Sequence, residues 1–134
     1  MAKHHEGLIY TMVLASACDR DMTDKELQTI GEMVRNLPVF RDFDEEELTD
    51  ITRACAEILN SEDGLDDALD FIRDALPPKL RETSYAIACD IIATEGGASQ
   101  EELRLLELIR YRLDIDRLTA AAIERGARAR HMTA

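Results

Sequence analysis

Apolar residues recur at three- and four-residue steps along almost the whole chain, the period of an α-helix buried on one side. Leu8, Met12 and Ala15, with Ile9, Val13 and Ser16, form the first stripe, and Leu27, Ile30, Val34 and Leu37 the second. Leu48, Ile51, Cys55, Ile58 and Leu59 make a third; Leu65, Ala68, Leu69, Ile72 and Leu76 a fourth. The fifth reads Leu80, Ile87, Ile91 and Ile92, the sixth Leu103, Leu106, Ile109 and Leu113, and the seventh Ile115, Leu118, Ala122 and Ile123. No stretch alternates for long enough to be a strand. The pattern predicts an all-α bundle of about seven helices.

The breaks between stripes have physical causes. Pro38 interrupts a helix running out of Leu37, and Asp63-Gly64 marks a turn. Pro77-Pro78 removes two amide donors between the fourth and fifth helices, and Gly96-Gly97 suits a left-handed cap after the fifth. A domain boundary at Pro77-Pro78 is conceivable, but each half would be small for an independent core, so residues 1–134 are read as one domain.

Charge narrows the possible partners. The net charge of -12 opposes nucleic acid and anionic membrane surfaces, leaving cations and basic proteins. Within 117–134, Arg117, Arg125, Arg128 and Arg130 face a single acid, Glu124, so a basic tail follows an acidic body. No apolar run approaches the ~20 residues of a membrane span, and the N-terminus lacks a signal-peptide pattern; a soluble cytoplasmic protein with no membrane insertion is expected. Cys18, Cys55 and Cys89 are odd in number, far apart and set among apolar neighbours, which suits free buried thiols rather than a disulfide or zinc site.

One segment recurs. TDKEL at 23–27 returns 76 residues later as SQEEL at 99–103, each preceded by an acid at the end of an apolar helix, Asp19 or Glu95. Core positions follow in step: Leu27 with Leu103, Ile30 with Leu106, Met33 with Ile109, Leu37 with Leu113. The chain therefore reads as two pseudo-repeated helix–loop–helix units. Thr23-x-x-Glu26 and Ser99-x-x-Glu102 are capping boxes, each worth on the order of 1 kcal/mol. Capping does not account for Asp19, Asp21 or Glu95, because a helix C-terminus disfavours negative charge.

If the units pack about a pseudo-twofold axis, five carboxylates converge: Asp19, Asp21, Glu26, Glu95 and Glu102. Two carboxylates about 4 Å apart repel by roughly 4 kcal/mol at an effective dielectric of about 20, so such a cluster calls for solvent, protonation or a cation. Asp19, Asp21 and Thr23 fit the first, third and fifth positions of an EF-hand loop. Asp24 then falls where Gly is required and Ile30 where a bidentate Glu belongs, so that loop is ruled out. What remains is a composite site whose hard oxygen ligands suit calcium, magnesium or manganese better than zinc.

At ACDRDMTDKEL (17–27) and ATEGGASQEEL (93–103) the chain resembles the TerB-like family, tellurite-resistance-associated helical domains also found at the front of certain membrane-tethered J-domain co-chaperones. That family repeats an alanine-rich helix ending in Ala-x-Asp-Gly or Ala-Asp-Gly, then a polar residue, a Ser or Thr cap and a Glu. The resemblance runs through the helix count and both motifs over most of the chain. Here Arg20 stands in place of the first Gly, Glu95 in place of Asp, and Gly97 in place of an acid. The resemblance implies an all-helical fold with an acidic, divalent-cation-binding patch, a link to metal-oxyanion or envelope stress, and no enzymatic activity. The chain has no His-Pro-Asp tripeptide of a J domain and no anchor, so a lone helical domain is expected.

Other chemistries find less in the sequence. There is no Gly-x-Ser-x-Gly elbow and no phosphate-binding glycine loop, and His4, His5 and His131 all lie near the termini, where solvated, frayed side chains are expected. DFDEEELTD (42–50) holds six acids, of which Asp44 or a neighbour caps the third helix. It also offers a docking strip for a basic partner, extended by DGLDDALDFIRD (63–74), and the Arg-bearing tail is able to fold onto either strip. Two functions stay open: a divalent-cation-responsive module built on the five carboxylates, and a metal-free interaction domain presenting acidic helix faces. Metal-assisted hydrolysis at the same carboxylates is a distant third.

Overall fold

Two helices are apolar on nearly every side, and both lie at the centre of the fold. In the computed structural model, which describes residues 3–16, 23–94 and 99–134, these are α1 (Lys3–Ser16) and α5 (Arg81–Thr94). Eleven of the fourteen residues of α1 are buried, which only a helix surrounded by other helices achieves. Around this pair stand α2 (Asp24–Asn36), α3 (Leu48–Leu59), α4 (Gly64–Ala75), α6 (Gln100–Arg112) and α7 (Arg117–Arg130). Short 3₁₀ turns at Pro38–Phe40, Glu45–Glu47 and Pro78–Leu80 join them. The described residues thus form an all-α bundle of seven helices without strands.

The helices on both sides of Pro77-Pro78 share one core. α1 packs on α5, α4, α3 and α2; α5 also carries α6 and α7, and α4 touches α6. Leu8, Ile9, Met12, Ile30, Leu69, Ile72, Tyr85, Ile109 and Leu113 have almost no exposed surface. Where α1 meets α5, Thr11 Oγ1 donates to the Gly7 carbonyl at 3.0 Å, leaving Ser84 Oγ to donate to Thr11 at 2.8 Å. This buried polar pair is satisfied without water.

The repeat is visible in the elements. α2 and α6 have the same length and start 76 residues apart, α2 resting on α1 and α6 on α5. Their ends differ. α2 stops at Leu37 before Pro38, whereas α6 closes with Asp114 at φ 55°. There the Ile115 amide donates to the Arg110 carbonyl at 3.1 Å and the Asp114 amide to Tyr111 at 3.2 Å, a Schellman closure. Gly64, first residue of α4, sits so near α3 that a Cβ there would lie 2.4 Å from the Ile58 carbonyl oxygen, so the expected Asp63-Gly64 turn requires glycine.

Three sequence expectations need correction. Leu118 is 81% exposed, and α7 instead buries Ala120 and Ala127, small residues that let its backbone approach α5 closely. On α6, Leu105 rather than Leu103 faces inward, moving the apolar stripe around the helix. His5 is not a solvated end. It is 6% exposed, stacked on Phe40, edge-on to Phe43, and its Nε2 lies 2.8 Å from the Val39 carbonyl, tying α1 to the turn after α2. Cys55 and Cys89 are buried free thiols as expected, while Cys18 and Gly96-Gly97 lie outside the described residues.

Candidate functional site

Both predicted capping boxes form. At the start of α2 the Thr23 amide donates to Glu26 Oε1 at 2.8 Å, and the Glu26 amide to Thr23 Oγ1 at 3.2 Å. At the start of α6 the Ser99 amide donates to Glu102 Oε1 at 2.8 Å, and the Glu102 amide to Ser99 Oγ at 3.1 Å. The two differ in depth, Glu102 being buried and Glu26 half-exposed. Each glutamate has one oxygen committed to a backbone amide, so both act here as helix starters. Asp19, Asp21 and Glu95, the other three residues of the expected composite site, lie outside the described residues. Among the described residues no group of three or more His, Cys, Asp or Glu side chains is arranged to hold a metal ion.

The starts of α2 and α6 border a cavity of about 870 Å³, which opens between them and α3. Val13, Leu14, Leu27 and Leu105 give it an apolar lining, and Arg53, Glu62, Glu101 and Arg104 place charges of both signs around it. Leu27 and Leu65, both 39% exposed, belong to this lining.

Both acidic strips are paired in part. On α4, Asp66 and Asp70 are taken by Arg112 of α6 at 3.1 and 2.7 Å, and Arg73 reaches Asp114 at 2.9 Å. Asp63, Asp67 and Asp74 of that strip are exposed and form no ion pair among the described residues. In 42–50, Asp44 caps the 3₁₀ turn leading into α3, accepting from the Glu46 amide at 3.0 Å, and Glu45 pairs with Arg35 at 3.1 Å. Asp50 meets Arg53 at 3.7 Å, a solvated contact between successive turns of one helix. Asp42, Glu46 and Glu47 are exposed and form no ion pair among the described residues.

The basic tail folds onto neither strip. Arg130 pairs with Asp90 of α5 at 2.6 Å, with His131 Nε2 at 3.6 Å from the same carboxylate. Alongside, Tyr85 of α5 donates to Glu124 of α7 at 2.5 Å. Burial first, then this hydrogen bond, raises the Tyr85 pKa, and burial pushes the Cys89 thiol up to about 12. Neither group ionises near neutral pH. This polar seam fastens α7 to α5 and offers no accessible nucleophile.

Sequence reading missed a second, smaller cavity of about 230 Å³ beside the 42–50 strip. Glu6 and Tyr10 of α1, Glu47 of the 3₁₀ turn, and Asp50, Ile51 and Ala54 of α3 line it. The available signal was faint: Glu6 and Tyr10 are one helical turn apart, and the acids of 42–50 follow in the chain far from them. Only the packing of α1 against α3 unites them. Compared with known proteins, the chain matches no family model, no curated protein and no solved structure.

Proposed function

We propose that this protein is a non-catalytic helical docking module that receives a basic protein partner on the acidic face around Asp42–Asp50. What carries the reading is the crowding of six acids into the nine residues 42–50. Of these, Asp42, Glu46 and Glu47 stand exposed without an ion pair among the described residues. Exposed carboxylates in a chain of net charge -12 speed encounter with cationic surfaces and repel anionic ones. The TerB-like resemblance supplies the setting, a module of metal-oxyanion or envelope stress.

The test is binding of fluorescent polylysine by anisotropy. Affinity is expected to fall with salt, to fall further in the Asp42→Asn/Glu46→Gln/Glu47→Gln variant, and to be indifferent to chelator. Equal affinity in the triple variant would refute the assignment of the face.

A second reading, a divalent-cation module, is favoured by the matched capping boxes, which start α2 and α6 alike, each a few residues after the acids Asp19 and Asp21 or Glu95 in the sequence. In this reading Asp19, Asp21 and Glu95 are the ligands, while Glu26 and Glu102 set positions through their bonds to backbone amides. Calorimetry of chelator-stripped protein with calcium, magnesium and manganese tests it. Saturable heat lost in Asp19→Asn/Asp21→Asn supports the site, and unchanged binding in that variant removes it.

A further inference from the structure

Helix α7 turns an unused face to solvent. Arg117, Leu118, Arg125 and Arg128 lie on the side of the helix away from Ala120 and Ala127, with only alanines between them, and all four are exposed. The three arginines form no ion pair among the described residues. The helix's one acid, Glu124, is engaged by Tyr85 of α5, and its remaining arginine, Arg130, by Asp90. Two side chains of this face are poorly placed if α7 serves the fold alone. A cation in the first helical turn, as Arg117 is, opposes the positive end of the helix dipole. Leu118, 81% exposed, forgoes the roughly 1.5–3 kcal/mol that burying a leucine contributes. Both fit a face that another surface covers.

Resting on the docking reading above, we infer that the basic partner of the 42–50 strip is α7 of a second copy of this chain. Charge complementarity selects it. Asp42, Glu46 and Glu47 on one copy and Arg117, Arg125 and Arg128 on the other are all exposed, and none has an ion pair among the described residues. Phe43 and Leu48, half-buried, leave apolar edges beside those acids, against which Leu118 packs. Within one molecule the two faces do not pair: α7 is held on α5, whereas α3, into which the strip leads, packs on α1 and α4. The contact is therefore head to tail, each copy giving its basic face to one neighbour and its acidic strip to another, and it builds a ring or a growing chain. The net charge of -12 opposes the encounter. At physiological salt, however, the Debye length is about 8 Å, so charges away from the contact are screened while the facing pairs are not. A membrane surface or a nucleic acid is a worse mate for α7, since an extended array of negative charge also meets the acidic remainder of the body.

The experiment is sedimentation velocity of the intact chain from micromolar to millimolar concentration. Average mass is expected to rise with concentration at about 0.15 M salt, and to fall back towards the monomer both at ~0.01 M, where whole bodies repel, and at ~1 M, where the facing pairs are screened. Arg117→Gln/Arg125→Gln/Arg128→Gln is expected to weaken self-association about tenfold, three exposed ion pairs being lost. Asp42→Asn/Glu46→Gln/Glu47→Gln is expected to weaken it as much, although this variant is less negative and its copies repel one another less. All the substituted positions are exposed, so both variants keep the fold. Mixing the two variants restores one sound contact, the basic face of one on the acidic strip of the other, and is expected to give a mixed dimer that grows no further. A chain that stays monomeric at every concentration, self-association that survives in either variant, or a mixture that stays monomeric would overturn the inference. The two readings fail separately. If only the self-contact fails, polylysine binding still depends on salt and on the 42–50 acids while the chain remains a monomer; if the docking face itself fails, polylysine ignores the strip variant and any self-association is lost in the arginine variant alone.

Discussion

Glu26 and Glu102 perform the same task at equivalent places, yet their surroundings set different stakes. Removing the Glu26 carboxylate exposes the Thr23 amide to water, which replaces the lost hydrogen bond. Removing Glu102, 7% exposed, leaves the Ser99 amide with fewer alternatives. Glu26→Ala is therefore expected to cost about 0.5–1 kcal/mol and Glu102→Ala about 1–3 kcal/mol in urea unfolding. Equal costs would mean that burial at α6 adds nothing. The capping residues were legible in the sequence because a hydroxyl and a carboxylate at fixed spacing satisfy amides of their own helix. His5 was not legible. Its hydrogen bond to the Val39 carbonyl joins positions 34 residues apart, and no local pattern announces that contact.

Between elements, the pairing of α4 with α6 rests on polar contacts as much as on apolar ones. Arg112 bonds Asp66 and Asp70, and Arg73 reaches back from α4 to Asp114 and to the Arg112 carbonyl. All are at least partly solvated, so each ion pair contributes only about 0.2–1 kcal/mol. Arg112→Ala is expected to lower stability by about 1 kcal/mol at low salt and by clearly less at 1 M salt, read from thermal melts at both ionic strengths. A salt-independent loss would assign the effect to packing of the arginine stem instead. The same change frees Asp66 and Asp70, and tighter polylysine binding in this variant is the corollary. The seven helices themselves were legible from period alone, because each must bury one face. Which face was less secure: α7 presents Ala120 and Ala127 to α5 while its leucine points outward, since close approach of two backbones favours small residues over large ones.

For the whole molecule, a core built from α1 and α5 encloses groups that ionise only at high pH, and that ties global stability to alkali. Burial raises Cys55 and Cys89 from 9.0 to about 12, with the nearby Glu124 adding to the effect at Cys89. The unfolded chain releases these protons above pH 9, whereas the folded chain retains them to about pH 12. Below pH 9 both states hold the protons and the two thiols leave stability unchanged. From pH 9 upward the unfolded state binds fewer protons than the folded one, so stability falls with pH, by about 1.4 kcal/mol per unit for each thiol. Tyr85, raised in the same direction by its burial and its bond to Glu124, steepens the fall. Urea unfolding between pH 8 and 11 is expected to show the midpoint dropping above pH 9. Cys55→Ala/Cys89→Ala, less stable at pH 8 because two buried side chains are shortened, is expected to follow a shallower slope. Parallel slopes for the two proteins would place the alkaline sensitivity elsewhere, in the Tyr85–Glu124 seam that holds α7 to the centre of the bundle.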